Sequence, residues 1–176
     1  MDKILHFHNY YFMNEYKCPV PREQQPTNEF IELSNSRIFS WPKTKKSLIL
    51  ILIKFWIGAF ILFLVISSGS VYFKTSLLKY ILLSLFSSLS IPFLISIRLY
   101  LGWNHIFNRL KSEKVEYEES GWYDGQVWIK PIVLKEKESL IASIEVKPIL
   151  KNLIQIFSII LVLSLTGILI FQYNNF

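Results

Sequence analysis

Residues 47–73 read SLILILIKFWIGAFILFLVISSGSVYF, an apolar run broken only by Lys54. At about 1.5 Å per residue a helix of this length reaches roughly 40 Å, beyond the hydrocarbon core of a bilayer at about 30 Å. The run therefore holds one membrane-crossing helix with length to spare. Two windows fit. Phe55 to Phe73 lies between Lys54 and Lys74 and buries no charge. Leu48 to Ser67 sets Lys54 about 9 Å inside one edge, where its stem can snorkel.

Two further runs follow. Leu77 to Ile97 carries Ser84, Ser87, Ser88 and Ser90, small residues suited to packing on a neighbouring helix, and Pro92 predicts a kink. Leu153 to Phe171 has no charge, and its Gly167 offers a point of close approach. The chain has 176 residues, 19 of them Lys or Arg and 13 Asp or Glu, so charged residues make up only 18%. A soluble domain carries about 25%. The charges lie almost wholly outside the three runs, so the low value is a mixture of nearly uncharged spans and normal polar segments. This excludes an ordinary soluble globule and a disordered chain. A single cysteine excludes a disulfide framework and a four-cysteine zinc site.

The predicted organisation is a polar, proline-containing tail over 1–46, spans over 47–73, 77–97 and 153–171, a polar loop over 98–152, and a short tail over 172–176. The fold class is a mainly α membrane protein. Three transmembrane helices carry a small polar β-hairpin and a short helix on one membrane face. The tail mixes Asp2, Glu15, Glu23, Glu29 and Glu32 with basic residues and contains no short apolar core. Neither a secretory signal nor a transit peptide is expected there. A protein of this kind working in an organelle is expected to be made inside it. The scarcity of alanine beside abundant Ile, Lys, Asn, Phe and Leu suits an A+T-rich genome such as a plastid's.

The net charge of +6 records orientation. Arg37, Lys43, Lys45 and Lys46 precede span one; Arg98, Arg109, Lys147 and Lys151 flank the long loop. The positive-inside rule puts tail and loop on the inner side and the C-terminus outside. No nucleic-acid partner is expected, because no basic stripe with interleaved aromatics occurs.

In the tail, Pro19, Pro21 and Pro26 forbid a continuous helix and favour an extended path. Thr27 or Asn28 is a potential cap for a short helix from Glu29 to Ser36, and Trp41-Pro42 is an interfacial anchor. In the loop, residues 114–130 read as a β-hairpin turning at Asp124-Gly125. That register sets Tyr123 opposite Gln126, Trp122 opposite Val127, Gly121 opposite Trp128 and Glu119 opposite Lys130. Trp128 then covers Gly121, and Glu119 and Lys130 form a cross-strand ion pair. Pro131 ends the second strand. Leu140, Ile141 and Ile144 give the apolar face of a short helix, and Pro148 suits the first turn of the third membrane helix.

The acids Glu116, Glu118, Glu119 and Asp124 suit a hard cation by ligand type, but a solvated strand face explains them better. His105 lacks partners for a metal. Cys18-Pro19 is a pair able to present a thiolate to haem, though the dipeptide is too common to assign one. No metal ligand or catalytic residue is assigned, and the cofactor is left open.

Three stretches carry a resemblance: Cys18 to Phe30 (CPVPREQQPTNEF), Arg98 to Trp103 (RLYLGW), and Tyr117 to Gln126 (YEESGWYDGQ). With Val146, Pro148, Ile149 and Leu150 they resemble the thirty-sixth hypothetical chloroplast reading frame family, encoded in red-lineage plastids and found in cyanobacteria, with a nuclear-encoded green relative. The resemblance covers about residues 16–171. It implies a plastid membrane protein, of thylakoid or envelope, with tail and loop on the stromal side. It carries over no catalytic residues. In the green lineage it implies a link to photosynthesis and, as a hint, to iron nutrition. The chain departs from the family pattern at Leu64 to Ser70, where the family reads Pro-Val-Ala-Ala-Gly-Ser, so a proline-bent first span is not implied.

The expected function is that of a non-enzymatic accessory or assembly factor for a photosynthetic membrane complex, with the bilayer and a membrane protein complex as partners. The alternative is a metal- or tetrapyrrole-handling membrane protein or enzyme subunit. The candidate interaction surface comprises Cys18, Pro19, Pro21, Glu23, Gln24, Pro26, Asn28, Glu29 and Trp41 from the tail. The loop adds Arg98, Tyr100, Gly102, Trp103, Glu118, Glu119, Gly121, Trp122, Asp124, Gly125 and Trp128. Pro, Gly, Trp and Arg in this mixture suit a rigid binding surface.

Overall fold

The computed structural model describes residues 18–69, 76–118 and 125–173. After a 3-10 turn at Arg22–Gln24, helix α1 runs over Pro26–Asn35. It starts earlier than Glu29, because Pro26 sits at the first position, where its missing N–H costs nothing. Asn28 does not cap it; its Nδ2 donates back to the Arg22 carbonyl at 2.8 Å. Trp41–Lys43 forms a second 3-10 turn. Helix α2 follows over Lys45–Ser67, capped by Thr44, whose hydroxyl accepts from the Ser47 N–H at 3.3 Å. The apolar run thus ends as a helix at Ser67, and residues 70–75 lie outside the described residues. The stretch of α2 long enough to cross a bilayer is therefore Leu48 to Ser67, and Lys54 lies within it.

Helices α3, Leu77–Ser88, and α4, Ser90–Lys111, are separated only by Leu89. Pro92 has no N–H for the Ser88 carbonyl, and its ring crowds that oxygen, so the break falls in the turn before it. Of the four serines, Ser84 and Ser88 pack as expected of small residues, whereas Ser87 is half-buried and Ser90 exposed. Ser84 and Ser88 are fully buried, and the Ser67 and Ser84 hydroxyls meet at 2.6 Å between α2 and α3. Tyr80 adds a bond from its hydroxyl to the Leu64 carbonyl at 2.7 Å. Such interhelical bonds are worth about 0.6 kcal/mol on average in a membrane setting.

Strands β1, Lys114–Tyr117, and β2, Gln126–Ile129, pair antiparallel. The hairpin exists, but its register differs from the expected one. Tyr117 faces Gln126, and Val115 faces Trp128. The expected partners of Trp128 and Lys130, Gly121 and Glu119, lie with residues 119–124 outside the described residues. The difference is an even slip, which leaves every side chain on its original face, so alternation alone cannot distinguish the two registers. Burial does: Val115 and Tyr117 close a small core with Val20, flanked by Cys18 and Trp128.

Helix α5, Ile132–Ile141, passes through a wider π turn, Ala142–Val146, into α6, Lys147–Tyr173. Pro148 is the second residue of α6, and the π turn precedes the place where its missing N–H breaks the ladder. Three stretches are long and apolar enough to cross a membrane: Lys45–Ser67, Leu77–Lys111 and Ile132–Ile170. The last two exceed one crossing. Helix α4 continues past Ile97 and α5 begins far before Leu153, so the polar loop is mostly helix. Leu99, Trp103, Ile106 and Leu110 of α4 pack on Ala142, Val146, Ile149 and Leu153. This pair forms a stalk that α1 crosses, with Phe30 edge-on to Trp103 at 6.2 Å.

Candidate interaction surface

The polar parts assemble into one cap on the end of the stalk. Gln24 acts as its clasp. Its Nε2 donates to the Glu118 carbonyl at 3.0 Å, and the Glu118 N–H donates to its Oε1 at 2.9 Å. A side-chain amide thus pairs with the backbone at the end of β1 as another strand would. Arg109, near the C-terminal end of α4, donates from Nη2 to the Gln24 carbonyl at 2.9 Å. Its Nη1 pairs with Glu29 Oε1 at 2.7 Å. One guanidinium therefore ties α4 to the tail in two places.

Glu119, expected to pair with Lys130, lies outside the described residues, and the ion pair seen at Lys130 is with Glu138. Lys130 and Glu138 pair with side chains 0% and 2% exposed. The Lys130 Nζ also donates to the carbonyls of Arg109 at 2.8 Å and Leu110 at 3.4 Å. It caps the orphan carbonyls of α4 with a positive charge, at the end where the helix dipole is negative. The hairpin, α4 and α5 meet at this ammonium.

This cap uses several predicted surface residues internally. Trp103 and Pro26 are buried, and Gly102 lies under the Phe39 ring, where a Cβ would come closer than real Cβ atoms do. Gln24, Asn28 and Glu29 are half-buried and bonded within the cap. Pro21, Trp41, Tyr100 and Trp128 are half-buried, and Trp41 lies 5.8 Å from the Phe55 ring. Pro19, Glu23, Arg98, Glu118 and Gly125 are exposed. Gly121, Trp122 and Asp124 lie outside the described residues, as does Glu119.

Among the described residues, Cys18, His105, Glu116 and Glu118 are not brought together as a metal site; Glu119 and Asp124 lie outside the described residues. Cys18 is half-buried, and the Gln25 amide donates toward its Sγ at 3.9 Å. Burial pushes its thiol above the ordinary value. Among the described residues no group of three His, Cys, Asp or Glu side chains converges as a metal site. His105 is exposed. Glu29 is one of the perturbed acids of the cap. Burial raises its pKa, opposed by the charges of Arg109 and His105, and its Oε2 has no hydrogen-bond partner among the described residues.

What the sequence did not single out is an apolar tip. Val127 and Ile129 on β2 are 56% and 68% exposed, and Ile132 and Val133 at the start of α5 are 75% and 49% exposed. Leu140 and Ile144 also face outward, although the helical pattern put them on a packing face. Glu138, Ala142 and Val146 take the inward positions instead, because the buried pair with Lys130 fixes which side of α5 faces the stalk. The available signal was Ile129, Ile132 and Val133 clustered around Pro131, which is too much apolar surface for a solvated turn.

The family CGLD27-like, conserved in the green lineage and diatoms 27, matches residues 18–159. The chain is 37% identical over 169 residues to the uncharacterized protein ycf36 of Porphyra purpurea, covering 92% of this chain and 99% of that protein. It is 39% identical over 138 residues to the uncharacterized protein ycf36 of Guillardia theta, covering 77% of this chain and 86% of that one. It is 36% identical over 138 residues to the Arabidopsis thaliana chloroplastic protein conserved in the green lineage and diatoms 27, covering 77% of this chain and 42% of that one. No solved structure matches the chain at a significant level.

Proposed function

This chain belongs to the CGLD27-like family, and from that membership we propose that it is a multi-pass plastid membrane protein serving as a non-enzymatic accessory or assembly factor for a photosynthetic membrane complex. Three spans anchor it, and the cap faces the stroma. The chloroplastic name of the Arabidopsis relative supports the compartment. The Lys and Arg residues flanking the cap side of the spans support the orientation.

The observation that carries the docking role is the exposed apolar tip. Residues 132–152 lie ahead of the third span in a helix that continues into it. At about 1.5 Å per residue they set Ile132 roughly 30 Å from the bilayer edge. At that distance lipid is not available to cover Val127, Ile129, Ile132 and Val133. A protein partner is the natural cover for an apolar group held on a rigid support. The Gln24 clasp, the Arg109 tie and the buried Lys130–Glu138 pair supply that support.

Gentle solubilisation of thylakoid and envelope membranes followed by tagged pull-down tests this reading. A defined photosynthetic complex or assembly intermediate should be recovered, and native gels of a knockout should show that complex depleted. Recovery of the free protein alone, with normal complexes in the knockout, contradicts it.

A further inference from the structure

Helix α2 buries Leu48, Leu52 and Ala59 against the bundle. At 100° per residue Lys54 lies on the opposite side, in one row with Leu50 and Lys46 at four-residue spacing. All three are exposed. The helix ends at Ser67, and Phe55 to Ser67 alone spans only about 20 Å, short of a crossing. Lys54 is therefore about 9 Å inside the span and faces lipid. An ammonium there is costly unless its charge is met.

This chain cannot meet it from within the membrane. No Asp or Glu occurs over residues 47–97 or 153–176. A second copy offers none either. Lys54 and Lys46 have no hydrogen bond or ion pair among the described residues, whereas Lys45 is engaged with Gln155 Oε1 at 3.3 Å. The Cα–Cβ bonds of a helix tilt toward its N-terminus. The Lys54 stem therefore leads its ammonium back toward the membrane face where Lys46 sits.

We propose that Lys46 and Lys54 together hold the headgroup of one anionic membrane lipid, a phosphate or sulfonate, with Leu50 between them against its acyl chain. A lipid brings its charge at headgroup depth, toward which the Lys54 stem leads and where Lys46 sits. An acidic side chain on a partner helix would itself have to be buried in hydrocarbon to reach Lys54. The site rests on the reading of α2 as a membrane span.

The test uses the full chain reconstituted in phosphatidylcholine vesicles, with spin-labelled phosphatidylglycerol or spin-labelled phosphatidylcholine as the probe. The wild type should associate preferentially with the anionic probe. A charge near the surface contributes roughly five-fold in binding, so Lys54→Gln and Lys46→Gln should each lower the preference by up to about that factor. Lys54→Arg should retain it, as should Lys114→Gln on the exposed strand of the cap. Equal association of the two probes with the wild type, or an unchanged preference in Lys54→Gln, overturns the site. So does loss in Lys54→Gln of a co-purifying acidic membrane protein with no change in lipid preference. Carbonate extraction of the same preparations separates the two levels. Release of the wild type by carbonate defeats the spanning reading, whereas an integral protein without a lipid preference defeats the lipid site alone.

Discussion

Lys130 and Glu138 form an ion pair almost wholly removed from solvent, and the same ammonium closes the carbonyl end of helix α4. Taking two charges out of water is expensive, so the pair adds little net stability. Breaking it is another matter, because one charge is left buried alone. Lys130→Met or Glu138→Leu should each destabilise the cap by about 3–5 kcal/mol. The double variant should regain most of that loss. It should not regain all, since the Arg109 and Leu110 carbonyls lose their donor, at about 1 kcal/mol or more. Thermal unfolding in detergent, followed by circular dichroism, checks the order of the three variants.

Gly102 and Gly167 share one role at opposite ends of the bundle. The Phe39 ring lies over Gly102 and the Phe86 ring over Gly167, each where a Cβ would have to go. Gly102→Ala and Gly167→Ala should each cost about 1–3 kcal/mol through overpacking. Phe39→Leu and Phe86→Leu should relieve the matching alanine variant and not the other. The same unfolding measurement on the four crossed pairs tests this.

Glu29 gives the cap a pH dependence of known sign. Its native pKa is raised above the ordinary 4.5, first by burial, against the pull of Arg109 and His105. A carboxyl with a raised native pKa binds its proton more readily folded than unfolded. Its contribution to stability therefore falls as pH rises from 4.5 through the native value, and grows on acidification across that window. Glu29→Gln removes this dependence. The melting temperature of the wild type relative to Glu29→Gln should rise as the pH falls from 7 to 4.5. A constant difference across that range contradicts the assignment.

Much of the frame was legible from local pattern. The apolar runs mark the spans, Pro92 marks the break at Leu89, and Gly167 marks a close approach. Other features depend on contacts distant in sequence. The hairpin register could slip by an even number without moving a side chain to the wrong face, and contacts from the distant tail, Val20 on Val115 and Tyr117 and Gln24 on Glu118, accompany the one observed. The partner of Lys130 lies on the next helix, where a charge in an otherwise mixed pattern reads as a solvated position. The stalk was readable in principle. Leu99, Trp103, Ile106 and Leu110 repeat at helical spacing beyond the expected end of the second span, and all four are buried. Polar residues between them hid the continuation. In the candidate surface, the distinctive residues Gln24, Glu29, Gly102 and Trp103 build the cap, whereas the residues that face outward are ordinary isoleucines and valines.

Docking of a protein partner on the apolar tip of the cap is the proposal on which the functional reading rests. The most direct measurement is tagged pull-down from plastid membranes with Ile129→Glu, Ile132→Glu and their combination beside the wild type. These side chains are exposed, so the variants should insert and fold normally, as judged by unchanged circular dichroism and carbonate resistance. The partner complex should co-purify with the wild type, fall at least ten-fold with either single variant, and be lost with the double. Undiminished recovery of the complex with the folded double variant would contradict it.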